Sequence, residues 1–167
     1  MKKIAFIIII LAPFLLMCQL AKSQTPSWVN NPPSKRGMFV AVGNGSSTSA
    51  SIAERKAVLD AHVNLAKQAE PEITTVTTRL ANDLRNKSTL EPRVKVIRKT
   101  VTANLQDVRT IKKHTAERKG IHTVYVLVEM PKTSVSKAIV EQINHDDELK
   151  KALAKSKTYK QLATKAK

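Results

Sequence analysis

The segment Ile121-His-Thr-Val-Tyr-Val-Leu-Val-Glu-Met130 limits what this chain can fold into more than any other stretch. It is rich in β-branched and aromatic residues, and Pro131 closes it. Such a run reads as a buried strand, and a buried strand needs partner strands for its backbone and a layer to cover it. Lys119-Gly120 just ahead of it supplies a hairpin turn, so one partner is the segment that precedes Lys119. A second short apolar run, Met38-Phe-Val-Ala-Val42, sits between Gly37 and Gly43 and predicts another strand.

The covering layer is written in Ala50, Ala53, Ala57, Ala61 and Leu65, with Val58 and Ala69 at the margins. Small residues every three or four positions let a helix lie close on a sheet. Ser51 and Glu54 have capping-box spacing and predict a start near Ser51, while Pro71 predicts an end at Glu70. Gly43-Asn-Gly-Ser-Ser-Thr-Ser49 is then the turn between strand and helix. Ile73-Thr-Thr-Val-Thr-Thr78 predicts a strand running to Leu80, and Ala81 to Pro92 a polar loop with a helical turn.

Residues 93 to 116 set helical spacing (Val94, Ile97, Val101, Leu105, Val108, Ile111) against strand-forming composition. The division that serves both is helix to Ala103 and strand from Leu105. Val135, Ala138, Ile139 and Ile143 predict a helix from Thr133 to Ile143. The fold class is therefore α+β: a small antiparallel sheet packed with an Ala-rich helix and a C-terminal helix, spanning residues 37–145. Residues 146–167 form a basic C-terminal helix or tail, with Leu149, Ala152, Leu153, Ser156, Tyr159, Ala163 and Ala166 on one narrow face. Ahead of the domain, residues 24–36 hold three prolines and predict an extended lead-in pinned by Trp28.

Residues 1–23 have the anatomy of a secretory signal: Lys2 and Lys3, the apolar stretch Ile4 to Met17, then Ala21 and Ser23 as small residues before a cut between Ser23 and Gln24. Fourteen apolar residues rise about 21 Å as a helix, short of the ~30 Å hydrocarbon layer. Cys18 stands where a bacterial lipoprotein carries its lipid, although Met17 replaces the small residue expected before it. The chain is expected to be exported, to the periplasm or an outer-membrane-associated position. Cleavage at Gln24 removes three lysines and no acid, which takes the formal charge from +16 to +13, and it removes the only cysteine. Disulfides and thiol chemistry are then excluded from the mature chain.

The remaining residues offer little to catalysis. His62, His114, His122 and His145 are scattered and belong to no Ser- or Asp-linked motif, so no catalytic site is expected. His145-Asp146-Asp147-Glu148 gathers possible ligands, but adjacent side chains diverge; no metal and no cofactor is expected. Gly43, Asn44, Gly45 and Ser46 have the composition of an anion-binding turn, without the third glycine of a dinucleotide site or the Gly-Lys-Ser/Thr ending of a phosphate loop. The strongest signal is basic: Arg93, Lys95, Arg98, Lys99, Arg109, Lys112 and Lys113 form a candidate polyanion patch, extended by Arg118 and Lys119, and the segment from Leu149 onward adds seven lysines and no acid. Anionic lipid at a membrane surface, lipopolysaccharide, wall polymer or DNA would respond to such a field. Nucleic acid is the least favoured of these, because four aromatics after residue 23 make no stacking platform.

Pro26-Ser-Trp28-Val, then Phe39-Val-Ala-Val-Gly-Asn-Gly45 followed by serines, then Ala53, Arg55, Ala57, Asp60-Ala61 and Leu65-Ala66, and finally Val124-Tyr-Val-Leu-Val128 come in an order that resembles the LPP-twenty family of bacterial membrane-associated lipoproteins. The resemblance spans roughly residues 26 to 140, and it is similar also to the N-terminal domain of a flagellar assembly protein. It implies an α+β domain in the cell envelope with no established enzymatic activity, whose partner is an envelope protein or an anionic envelope polymer. The family has no agreed catalytic residues to carry over.

Overall fold

The structure is a computed structural model that describes residues 25–84 and 89–166. Cys18, Ser23 and Gln24 lie outside them. Among the described residues there are six helices and one three-stranded antiparallel sheet, so the fold is α+β. In chain order the elements are α1 (Ser27–Asn30), β1 (Met38–Ser47), α2 (Ala50–Asp83), α3 (Glu91–Ala103), β2 (Arg109–Arg118), β3 (Ile121–Pro131), α4 (Lys132–Asn144), α5 (Asp147–Leu153) and α6 (Lys157–Lys165).

The apolar run is β3, and it takes the central place in the order β1-β3-β2. Lys119 and Gly120 both have positive φ, 52° and 74°, the backbone of a type I′ hairpin turn joining β2 to β3. The register pairs Phe39 with Met130, Ala41 with Val128, Gly43 with Val126 and Gly45 with Val124. These eight residues share one face of the sheet, and α2 packs on it through Ala53, Ala57, Ala61 and Leu65.

Helix α2 overturns two expectations. It runs through Pro71, and the segment read as a strand, Ile73 to Leu80, is its continuation. The apolar stripe decides this, for Ala69, Ile73, Thr77 and Leu80 keep the spacing set by Ala57, Ala61 and Leu65, and all of them are buried. The threonines fit because Thr75 and Thr77 each donate a hydroxyl to the carbonyl four residues back, at 2.8 Å. Pro71 is exposed, so the hydrogen bond it cannot make is lost on the solvent side. The later half of α2 meets α3 through Arg98, which donates to Thr77 (2.9 Å) and Thr78 (3.1 Å).

Further corrections are local. The glycine-rich segment is not a turn: β1 continues to Ser47, and α2 starts at Ala50 after Ser49. The capping box does not form, because Ser49 rather than Ser51 is the N-cap; the Glu54 carboxylate pairs with Lys113 at 3.0 Å. Strand β2 starts at Arg109 rather than Leu105, after Asp107 turns the chain at φ 59°. The lead-in is not wholly extended, since Ser27–Asn30 makes one helical turn after Pro26 and packs on β3 with Trp28 half-buried. The C-terminal segment is two short helices rather than one or a frayed end. Leu149, Leu153 and Leu162 are buried, and the Ser156 hydroxyl accepts from the Tyr159 N–H at 3.0 Å to start α6.

Candidate functional site

Gly43 and Gly45 face α2, and nothing larger fits. A Cβ on Gly43 would fall 2.6 Å from Cα of Ala61 and closer still to the Ala61 nitrogen and the Ala57 carbonyl oxygen. One on Gly45 would fall 2.6 Å from the Ala57 nitrogen. The glycines thus serve close approach of helix to strand.

That approach brings a second line of α2 residues over the outer edge of β1. Lys56, Asp60, Asn64 and Gln68 each precede a residue of the apolar stripe, and each binds one backbone group of β1. Gln68 donates to the Val40 carbonyl (3.0 Å) and Asn64 to the Val42 carbonyl (3.0 Å). The Asn44 N–H donates to the Asp60 carboxylate (2.9 Å), and the Lys56 ammonium to the Ser46 carbonyl (3.3 Å). Four helix residues advance about 6.0 Å and two strand residues about 6.8 Å, close enough for the two to stay in step over four pairs. An open strand edge invites pairing with other chains, and here α2 closes it. The residues expected to hold an anion therefore lie within a paired strand: Gly43 and Gly45 face the helix, Asn44 already receives a carboxylate, and the Ser46 hydroxyl shares a bond with Thr123 (3.0 Å).

The basic residues divide between two elements. On α3, Arg93 grips Asp146 (2.9 and 3.0 Å) and Glu148 (2.8 Å), holding the start of α5, while Arg98 is bound to the two α2 threonines. Asp146 also accepts the Leu149 N–H; that bond first, and Arg93 second, hold its carboxyl below the usual range. The bond to Asp146 raises Arg93 in turn. Lys95 and Lys99 are exposed on α3. Arg109, Lys112 and Lys113 stand on β2, and Lys113 is tied to Glu54. The expected patch is thus two sets on separate elements, with Arg93, Arg98 and Lys113 committed to holding the fold.

The histidines stay apart. His62 and His145 are exposed on α2 and after α4; His122 sits 3.5 Å from Glu117; His114 stacks on Tyr125 with ring centroids 6.4 Å apart. Among the described residues no three His, Cys, Asp or Glu side chains gather as metal ligands.

The second edge of the sheet is different. No residue of β2 is buried, and among the described elements it packs chiefly on β3, with Lys113 reaching Glu54 of α2. Residues of an antiparallel edge strand alternate between bonding inward and pointing outward. Since Val40, Val42, Asn44 and Ser46 point off β1, the residues between them bond β3 at Met130, Val128, Val126 and Val124. The intervening β3 residues Leu127, Tyr125 and Thr123 then bond β2 at Lys112, His114 and Ala116. Lys113, Thr115 and Glu117 are left with N–H and C=O groups directed outward. Around them Arg109, Lys112, Arg118 and Lys119 have no acidic side chain within 4.0 Å among the described residues. A bulge at Ile111 marks the end of this edge near Arg109.

Sequence reasoning found the β2 cations but not the edge they flank, and it missed the closing line on α2. Polar residues repeating every fourth position beside an alanine stripe were the available signal. It also missed Ile52, Leu59 and Val63, whose apolar side chains are exposed on α2.

Among the described residues no helix is long and apolar enough to cross a membrane. The family model described as LPP20 lipoprotein matches residues 26–131, from α1 to the end of β3. No curated protein and no solved structure matches the chain.

Proposed function

The chain belongs to the LPP20 lipoprotein family, which places it among bacterial envelope lipoproteins, and from that premise we propose a non-enzymatic envelope component that docks a second envelope component along β2. The observation that carries this reading is the contrast between the two sheet edges. Four α2 side chains close β1, while β2 has no buried residue and three residues' backbone groups pointing outward. A fold able to close an edge leaves the other open at a cost in aggregation risk, and a docking partner accounts for that cost.

Export and attachment complete the proposal: the signal in residues 1–23 directs the chain out, and it is held by a lipid on Cys18 or released from Gln24. Intact mass of protein from its host, with its partition between membrane and soluble fractions, separates the two. The docking role is tested by photo-crosslinking residues placed at Thr115 and, as a control, at the exposed Lys67 of α2. A discrete envelope protein trapped from Thr115 and not from Lys67 is expected. Equal trapping from both sites, or turnover of an ester, glycoside or phosphate substrate that His114→Ala abolishes, refutes it.

The unpaired cations favour a second reading, an exported binder of anionic envelope polymer. Counterion release makes such affinity fall steeply with salt. Because Leu153 and Leu162 are buried, the test replaces exposed Lys150, Lys151, Lys155 and Lys160 by Gln rather than deleting the C-terminal segment. A shallower salt slope toward lipopolysaccharide supports this reading, and an unchanged slope removes it.

A further inference from the structure

Resting on the reading of β2 as a docking edge, we propose that its partner presents an extended acidic segment that adds to the sheet as a fourth strand beside β2.

The outward N–H and C=O groups of Lys113, Thr115 and Glu117 recur every second residue, the spacing at which an added strand forms its hydrogen bonds. The flanking side chains choose among possible strands. Arg109, Lys112, Arg118 and Lys119 have no acidic side chain within 4.0 Å among the described residues, and Glu129, opposite Arg109, is paired with Lys35 instead; the single acid of β2, Glu117, lies beside His122. Cross-strand neighbours of opposite charge stabilise a pair and like charges oppose it. Arg109, Lys112 and Arg118 stand opposite Glu129, Leu127 and Ile121, on the sheet face turned away from α2, and glutamate or aspartate on that face of the incoming strand would supply the missing partners.

The same charges speak against a second copy of this chain. Two β2 strands laid antiparallel about Thr115 would set Lys112 against the Arg118 of the other copy, twice over by symmetry. Lys113 and Glu117 would face one another, but they are already engaged with Glu54 and His122. A formal charge of +13 after cleavage at Gln24 adds a general repulsion between copies.

The test uses the chain recovered from its host and an eight-residue peptide that alternates glutamate with valine and threonine. Two further probes are its lysine counterpart and an oligoglutamate of equal length. The expected result is binding of the first peptide only, with slowed amide exchange at Lys113, Thr115 and Glu117. Thr115→Pro removes one outward N–H at an edge position that proline tolerates, and should weaken binding at least tenfold. The double charge reversal Lys112→Glu with Arg118→Glu alters exposed side chains alone and should do the same, which keeps the test decisive if the proline variant folds poorly.

Oligoglutamate binding as tightly, without protected amides, would mean plain charge attraction and overturn strand addition. Equal binding of the lysine peptide with the same amides protected would overturn the acidic partner while sparing the docking edge. Protection of those amides in the free chain that grows with its concentration would make the occupant a second copy. If no extended peptide protects them, the docking edge itself falls.

Discussion

Gly43→Ala adds one methyl group where α2 lies against β1. The new carbon would sit 2.6 Å from Cα of Ala61, against an ordinary contact of 3.4–4 Å, with the Ala61 nitrogen and Ala57 carbonyl nearer still. All three atoms are backbone, so no rotamer change relieves the contact and the helix must retreat by about an ångström. Overpacking of this kind costs about 1–3 kcal/mol, and the rigid neighbours place it at about 3. The retreat also lengthens the bonds from Asn44 to Asp60 and from Asn64 to Val42 (2.9 and 3.0 Å), worth about 1 kcal/mol each at most. Against this, alanine restricts the unfolded chain and returns about 0.4–1 kcal/mol. The net loss is about 3–4 kcal/mol, a large part of the 5–15 kcal/mol typical of a domain. Urea unfolding followed by circular dichroism, with a slope of about 2 kcal/mol/M, should show the midpoint falling by about 1.5–2 M. Gly120→Ala is the control: it has open space around it but φ 74°, so it should lose only the ~1–2 kcal/mol of left-handed strain. A Gly43→Ala midpoint within about 0.3 M of the parent would refute the close approach, because a slope of that size makes it less than ~0.6 kcal/mol.

Pro71→Ala restores a backbone donor at an exposed position of α2 and should stabilise the chain by about 1–2 kcal/mol, seen as a rise of several degrees in melting temperature; an unchanged or lower melting temperature contradicts it. Thr77→Val keeps the shape of a buried residue but strands the Arg98 Nε that bonds it at 2.9 Å, so a loss of about 1–2 kcal/mol by urea unfolding is expected. Asp146 has its carboxyl lowered in the folded chain, so its stabilising contribution is present above the unfolded value of 3.8 and is lost as pH falls through the lower folded value. Asp146→Asn should therefore flatten the decline of melting temperature below about pH 4, and parallel curves for the two proteins would contradict the assignment.

The central strand, its hairpin turn and the first half of α2 were legible because each rests on a local pattern that tertiary packing reinforces. Lys119-Gly120 has the one backbone its turn requires, and Ala53, Ala57, Ala61 and Leu65 mark a helix face whatever lies opposite. The failures share a cause. Pro71 and the threonines after it are strong local signals against a helix, and they lost to Ile73, Thr77 and Leu80, which a helix buries together. Gly43 and Gly45 looked like a turn because glycine's rarity in strands is a statistic about side-chain packing, and here a neighbouring backbone fills the space of the side chain. The site was half legible. Charge is countable, so Arg109 and Lys112 were found; whether a cation is free or spent depends on partners such as Asp146, fifty-three residues from Arg93.

The open edge of β2 follows from the same two glycines. A helix with its side chains is about 10–12 Å across, and three strands spaced about 4.8 Å apart make a sheet of nearly that width. One helix centred under β3 would overlap both neighbours and close neither edge. The glycines draw α2 toward β1, near enough for Lys56, Asp60, Asn64 and Gln68 to reach around it, and the helix then packs on β1 and β3. Coverage gained on one side is withdrawn from the other. Helices α4, α5 and α6 do not compensate, for they pack chiefly on one another, on α2 and α3 and, through α4, on β3. A chain that needed both edges closed would require a second helix under β2; this one leaves β2, which has no buried residue and is flanked by cations, as the open edge, so the means that make β1 safe are also what present β2 to a partner.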